Sequence, residues 1–210
     1  CKNFGAVIMK TVIILGAGEQ GRVVKNILEL SGYSKIKFLD DRLRNDEVIG
    51  SLKDINQFHS SQYEFFVAIG DNALRKNWFL MLEKNGKHCV NAIHPKAYLE
   101  SSVKLGTNVM VSAFAYLNIN TTVGDGVIIN TGCIIEHDNV VSSYSQLGPG
   151  VVTAGKVFIG KEVFIGMRSA IIDHCKITNS VILGAGSVVI DDIDEKGLYV
   201  GVPAKRKNSR

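Results

Sequence analysis

Large aliphatic residues recur every six positions through the second half of the chain: Leu105, Val111, Leu117, Val123, Ile129, Ile135, Val141 and Leu147, then Ile159, Ile165, Ile171, Ile177, Leu183 and Val189. Thr153 is the one polar residue in that series. Four residues after each member comes a second set, mostly small or β-branched, from Val109 and Ala115 through Cys133, Asn139 and Ser145 to Cys175, Val181 and Ser187. Glycine often follows the aliphatic residue directly, as at Gly106, Gly124, Gly148, Gly160, Gly166 and Gly184. Neither the 3.6-residue period of a helix nor simple strand alternation holds this phase. A parallel β-helix does: each hexad makes one flat strand and one corner, and three hexads close a triangular coil, so residues 18 apart stack. The aliphatic and small residues then point inward, and glycines take the corners.

The preceding segment alternates strand and helix patterns instead. Thr11–Leu15 is a β-branched run ending in Gly16-Ala-Gly18-Glu-Gln-Gly21, and Val23, Val24, Ile27, Leu28 and Leu30 follow at helical spacing. Ile36–Leu39 reads as a second strand ending on Asp40 and Asp41, and 63–69 as a third, stopping at Gly70. A second helix is expected over 73–83 and a fourth strand over 89–93. That order implies a small parallel sheet with helices on its faces. We therefore divide the chain into an α/β half-Rossmann (βαβαβ) domain over 10–93, a β-helix of hexapeptide repeats over 94–196, and a tail over 197–210.

The glycine loop satisfies GxGxxG between a strand and a helix, with Asp40 and Asp41 just over 20 residues on. Alone, that is a dinucleotide fingerprint and suggests a dehydrogenase. A full dinucleotide fold needs two such halves, and fewer than 90 residues precede the repeats. Half a site fits a mononucleotide better. Glu19 beside a diphosphate would be unfavourable unless it points away.

Composition, with 46% hydrophobic and 21% charged residues, is that of an ordinary globular protein. The net charge of +4 is scattered except at Lys205-Arg206-Lys207, which reads as a solvated, frayed end rather than a nucleic-acid patch. No apolar stretch is long enough for a membrane helix, and no signal peptide is evident. Cysteines at 1, 89, 133 and 175 form no close pair, which suggests a reduced, cytoplasmic protein. Met9-Lys10-Thr11 looks like a natural start, leaving Cys1–Ile8 as an extension outside the fold.

His137 and Asp138 fall at a corner of the repeat. Histidine is readily poised as a base near neutral pH, and an adjacent carboxylate can orient it and stabilise its cation. A surface His beside a surface Asp is commonly inert, but one coil later comes Gly155, which leaves room beside the imidazole. Asn139 should point inward and hydrogen-bond backbone behind this corner. His174 falls at another corner and should be exposed; His94 precedes Pro95 at the junction, where a structural role is expected. Cys133 and Cys175 belong to the inward series and should pack.

Asn130-Thr-Gly-Cys-Ile-Ile-Glu-His-Asp138 and Asp194-Glu-Lys-Gly-Leu-Tyr-Val-Gly-Val-Pro-Ala-Lys-Arg206 resemble the bacterial sugar acetyltransferases of the sialic acid/bacillosamine type. The resemblance extends to Phe38-Leu-Asp-Asp41, Phe65-Phe-Val-Ala-Ile-Gly-Asp-Asn72 and Leu74-Arg-Lys76. It implies a left-handed β-helix and a homotrimer with acetyl-CoA in a groove between two chains. The implied reaction is N-acetylation of a UDP-linked 4-amino-4,6-dideoxy sugar, giving a UDP-linked diacetylbacillosamine. It makes His137 the proton acceptor and Asp138 the acid that raises its basicity, where relatives carry Glu. It assigns Gln146, Gly155, Met167 and Ala185 to acetyl-CoA, Gln146 standing where relatives usually have a second His. Gly18, Glu19, Gln20, Asp40, Asp41 and Gly70 fall to the nucleotide-sugar, with Glu19-Gln20 where relatives commonly have Gly-His. No metal is implied.

Four other functions fit parts of this pattern. An O-acetyltransferase of sialic acid, or an N-acetyltransferase of GDP-perosamine, would use the same scaffold and the same base. A zinc hydratase on a β-helix needs three His ligands, and the repeats contain only His137 and His174. A non-catalytic dinucleotide-binding or scaffold protein would leave the His-Asp corner unexplained.

Overall fold

In the computed structural model, which describes residues 10–207, the hexads build a parallel β-solenoid of about six turns. Each strand is a short stretch paired with the one 18 residues before and after, as in the register Tyr116↔Ile134↔Val152↔Ala170. Three sheets result, of five, six and eight strands, the last including the C-terminal hairpin. The inward series forms one continuous core from Val109 to Ile193. Every sixth residue, at the corner, takes a left-handed backbone. These include Asn108, Asn120, Asp138 and His174, and even Phe114, Tyr144 and Lys156, at φ between 55° and 64°. A non-glycine residue holds this conformation at a cost of roughly 1 kcal/mol or more, which the stacked core offsets. Thr153, the polar exception, is fully buried with its hydroxyl unpartnered.

The N-terminal unit contains β1 (Thr11–Leu15), α1 (Glu19–Leu30), β2 (Ile36–Leu39), β3 (Val48–Gly50), β4 (Tyr63–Val67) and α2 (Asn72–Lys84). The sheet order is β3-β2-β1-β4, all parallel. A 3-10 turn over Leu52–Gln57, closed by a Ser51–Asp54 capping box, packs Ile55 inward. Neither β3 nor this turn was expected from the sequence.

The expected fourth strand over 89–93 does not join this sheet as a strand. Cys89 makes a single bridge to Phe65, while Ala92–Ile93 pairs with Met110–Val111 and opens the solenoid. The hexad phase therefore runs back through Leu99 to Ile93. The C-terminal segment is not frayed over its described part. Gly197–Val200 adds a strand beside Val181–Leu183, and Lys205–Arg206 folds back antiparallel on it. The presumed extension at residues 1–8 lies outside the described residues.

The two parts share a dry seam. Ala92, Met110 and Ile128 project outward from the eight-stranded sheet but are buried in one cluster with Val24, Ile27 and Leu28 of α1. Asn108 covers the edge of β4, its amide accepting from Val67 N (2.6 Å) and donating to Val67 O (3.3 Å). Arg75 of α2, with no solvent exposure, reaches across to the carbonyls of Gly126 and Tyr144.

Candidate active site

His137 sits on the ridge between the six- and five-stranded sheets, between the strands Ile134–Ile135 and Val140–Val141. Its Nδ1 lies 2.8 Å from Asp138 Oδ2. With Nδ1 donating to the carboxylate, Nε2 is left to accept a proton. Asp138 can turn back to its neighbour because its own backbone is left-handed (φ 58°). The bond to His137, seconded by Asn120 Nδ2 at 3.0 Å, holds the Asp138 carboxyl below its usual range. Behind the corner, Asn139 Nδ2 donates to the carbonyls of Glu136 (2.6 Å) and Ala154 (2.8 Å), as its inward position implied. Gly155 lies directly against the imidazole: a Cβ there would be 2.6 Å from both Cε1 and Nε2.

Two further polar groups back this corner and were not expected: Asn120, and Asn118, which donates to Glu136 at 2.6 Å. Both stand 18 residues before their partners, so the coil period itself could have found them. His174 is exposed and pairs with Asp173 at 2.8 Å on the same ridge. His94 is structural, its Nδ1 accepting from Lys96 N and its carbonyl from Ala97 N. Cys133 and Cys175 are buried in the solenoid core. Among the described residues, no cluster of three or more His, Cys, Asp or Glu could hold a metal ion, and no helix is long and apolar enough to cross a membrane.

The nucleotide-sugar candidates gather at the C-terminal edge of the small sheet, where the loops after β1, β2 and β4 meet. Gly16 (φ +100°) and Gly21 are required by the tight turn: a Cβ on Gly21 would lie 2.0 Å from Gly16 O. Gly18 is the N-cap of α1 and supplies no side-chain cap, so no cap side chain occupies the first-turn amides, the end of a helix that suits an anion. Glu19 is exposed, and Gln20 turns away to the solenoid, its Nε2 2.9 Å from Met110 Sδ. Asp40 is engaged within the protein. Its Oδ2 accepts from Ala17 N, and Oδ1 from Arg42 N and Leu43 N, each at 2.8 Å. Asp41 Oδ1 accepts from Leu52 N at 3.0 Å.

Burial opposes ionisation of Asp40, but the amides of Leu43, Ala17 and Arg42 and the charge of Arg44 outweigh it and lower its pKa. A depressed folded pKa means stability present above the unfolded value, near 4, and lost as pH falls through the folded value. Asp40→Asn should therefore unfold more easily than the parent at pH 7, the gap closing as pH falls from about 4 through the lowered folded value. Urea melts across that range test it; a gap unchanged at low pH would mean that charge is not what holds the loop.

The acetyl-CoA candidates lie elsewhere. Gln146, Phe164 and Ile182 form an outward row on the eight-stranded sheet, and the Gln146 Oε1 is buried without a partner. Met167 and Ala185 stack against Gly148 and Gly166 on the ridge beside that row. Gly70–Ala73, at the start of α2, face Glu162, Phe164, Ser180 and Ile182 across an open cleft of about 380 Å³. The chain thus brings the Gly70 loop and the Phe164–Ile182 row together. His137 and Gly155 sit on the ridge opposite that sheet.

Comparison with known proteins agrees with this architecture. Residues 11–82 match the family model of the PglD N-terminal domain. A GDP-perosamine N-acetyltransferase of Escherichia coli O157:H7 is 27% identical over 183 residues, 82% of each chain. The acetyltransferase domain of PglB from Neisseria gonorrhoeae FA1090, solved with acetyl coenzyme A, is 30% identical with a TM-score of 0.92, over 94% of this chain and 99% of that one. PerB from Caulobacter crescentus, solved with CoA and GDP-perosamine, is 34% identical with a TM-score of 0.91, over 95% and 98%.

Proposed function

This chain belongs to the sugar N-acetyltransferases of the PglD/PglB/perosamine type, and on that premise we propose that it moves the acetyl group of acetyl-CoA to the 4-amino group of a nucleotide-linked 4-amino-4,6-dideoxy sugar. The His137–Asp138 pair, with Gly155 beneath the ring, carries this reading. The acceptor nitrogen attacks the thioester carbonyl and must lose a proton as the C–N bond forms. His137 Nε2 takes it, while Asp138 keeps Nδ1 protonated and stabilises the imidazolium.

Acetyl-CoA fits the outward row of the eight-stranded sheet. Gln146 carries an orphaned carbonyl there and an amide able to donate to the thioester or pantetheine, though it cannot titrate. Met167 and Ala185 would flank the chain of the cofactor, and Gly155 would leave the imidazole free to face it. The nucleotide-sugar lies along Gly18, Glu19, Gln20, Asp41 and Gly70, with Asp40 shaping the loop, and its sugar reaches toward the Gly70 cleft. Residues 10–93 are the nucleotide-sugar domain and 94–196 the acetyl-transferring domain.

Because His137 stands on the ridge away from that cleft, a neighbouring copy supplies the base. A cyclic homotrimer of prisms meets that need. The outward row Tyr98, Tyr116, Ile134 and Val152 on the six-stranded sheet, exposed except for the half-buried Tyr116, supports burial between copies. Acetyl-CoA supply is cytoplasmic, and the enzyme acts there.

The UDP-linked 4-amino sugar, leading to a diacetylbacillosamine, is the first candidate acceptor, resting on the half-Rossmann domain and the resemblance carried by Phe38-Leu-Asp-Asp41. GDP-perosamine is the second, resting on the relatives that act on it or hold it. Thiol release from acetyl-CoA, measured against amino sugars linked to UDP, GDP and CMP, separates them. Turnover with a UDP-sugar at least tenfold above the GDP-sugar is the expected outcome. Light scattering at three chain masses is expected alongside, and a fully active monomer would overturn the shared site.

A further inference from the structure

Arg75 is the one fully buried cation of the described chain, and no carboxylate is hydrogen-bonded to it. All five of its N–H bonds find acceptors. Nη1 donates to the carbonyls of Ile69 (2.9 Å) and Gly70 (3.0 Å), and Nη2 to Asn72 Oδ1 at 2.6 Å. On the far side, Nη2 also donates to Tyr144 O (2.8 Å) and Nε to Gly126 O (2.7 Å). The first two acceptors belong to the loop after β4, and the third to the first residue of α2. The last two are stacked corner residues of the solenoid, one coil apart. Burial pushes the guanidinium pKa down to about 10, partly opposed by the charge of nearby Asp71, so the cation persists at neutral pH although its direct hydrogen-bond partners are all neutral oxygens.

A buried charge of this kind is weak evidence for stability, since apolar replacements often serve as well. What a planar five-donor fork provides is geometry. It fixes two carbonyls of one structural unit against two of another. Asn72 repeats the link, held by Arg75 through its oxygen and donating through Nδ2 to Val163 O at 3.2 Å. Lys76, one residue on, reaches Glu162 at 2.6 Å. Gly70 and Asn72 on one side, with Glu162 and Phe164 on the other, are walls of the same cleft.

We propose that Arg75 is a positioning residue of the transfer reaction: it sets the Gly70 loop, and with it the acceptor sugar, at a fixed distance from the acetyl donor on the solenoid. The proposal rests on the acetyl-transfer reading above. Arg75 touches neither substrate. Its effect is on the gap the attacking nitrogen must cross, and a displacement near 1 Å can cost about a hundredfold in rate.

The test compares the wild type with Arg75→Lys and Asn72→Ala, assayed well below the melting temperature of each, with CoA and nucleotide binding measured separately by calorimetry. Lysine keeps the buried charge but cannot bridge both pairs of carbonyls. We expect kcat for Arg75→Lys to fall roughly tenfold to a hundredfold, with CoA affinity and the KM for acetyl-CoA within twofold of wild type. Asn72→Ala should move kcat in the same direction by a smaller factor and decides the matter if Arg75→Lys does not fold. A folded variant with kcat within twofold of wild type overturns the positioning role. So does a loss that follows only the unfolded fraction. A wild type that acetylates no nucleotide amino sugar would instead refute the underlying activity.

Discussion

His137→Ala should lower kcat by about 10² to 10⁴, the usual range for removing a general base, while chain assembly and acetyl-CoA binding persist. The structure separates the two outcomes cleanly. The imidazole is half-exposed on a ridge, and among the described residues its only side-chain partner is Asp138. The backbone of the corner is held independently, by Asn139 to Glu136 O and Ala154 O and by Lys156 N to His137 O. Truncation therefore removes the base and leaves the coil. Asp138→Asn should cost less, because an amide still reaches Nδ1, and its left-handed backbone suits Asn as well as Asp. A folded, assembled His137→Ala enzyme with near-normal turnover at neutral pH would end the assignment. Activity lost only together with assembly would make the histidine structural.

Gly155→Ala should leave the melting temperature nearly unchanged and reduce kcat by about a hundredfold. The new Cβ would lie 2.6 Å from Cε1 and Nε2 of His137, closer than nonbonded atoms approach, so one group must move. Backbone is not what is struck: the contact is the free end of a side chain already in solvent, which can swing away at little energetic cost. Swinging moves Nε2 off the line of the incoming proton, which is where the rate is lost. A crystal structure of the variant with the imidazole unmoved and turnover unimpaired would sink this account. A large fall in stability would sink it too.

The solenoid was legible because its core positions admit only one phase, and Leu105 to Val189 keep that phase through fourteen of fifteen members. Its first two strands were not. Ala92–Ile93 and Tyr98–Leu99 keep the phase, but Pro95 and Glu100 interrupt the corner pattern, and a run such as Cys89–Ile93 suits either sheet. Which edge a short apolar strand joins is decided by tertiary pairing, not by its composition. The His137–Asp138 contact and the approach of Gly155 to the imidazole were readable from adjacency and from the 18-residue spacing. Arg75 was not, because an arginine on an amphipathic helix normally marks the solvent face. Its buried place depends on five acceptor oxygens, of which the two on Gly126 and Tyr144 come from solenoid corners far along the chain. Asp40 illustrates the converse. Position after β2 suggests a ribose ligand, whereas three backbone amides already occupy its oxygens.

A stack of parallel coils ends in strands whose outer N–H and C=O groups match those of any identical chain, which invites filament growth. Here Lys205–Arg206 runs antiparallel along Gly197–Val200, and Val188 exchanges hydrogen bonds with Gly201 and Ala204. A polymer of coils would need a parallel edge in the hexad register at that end. The reversed, doubly charged strand offers neither, so the hairpin that closes the eight-stranded sheet also denies that edge to an identical coil.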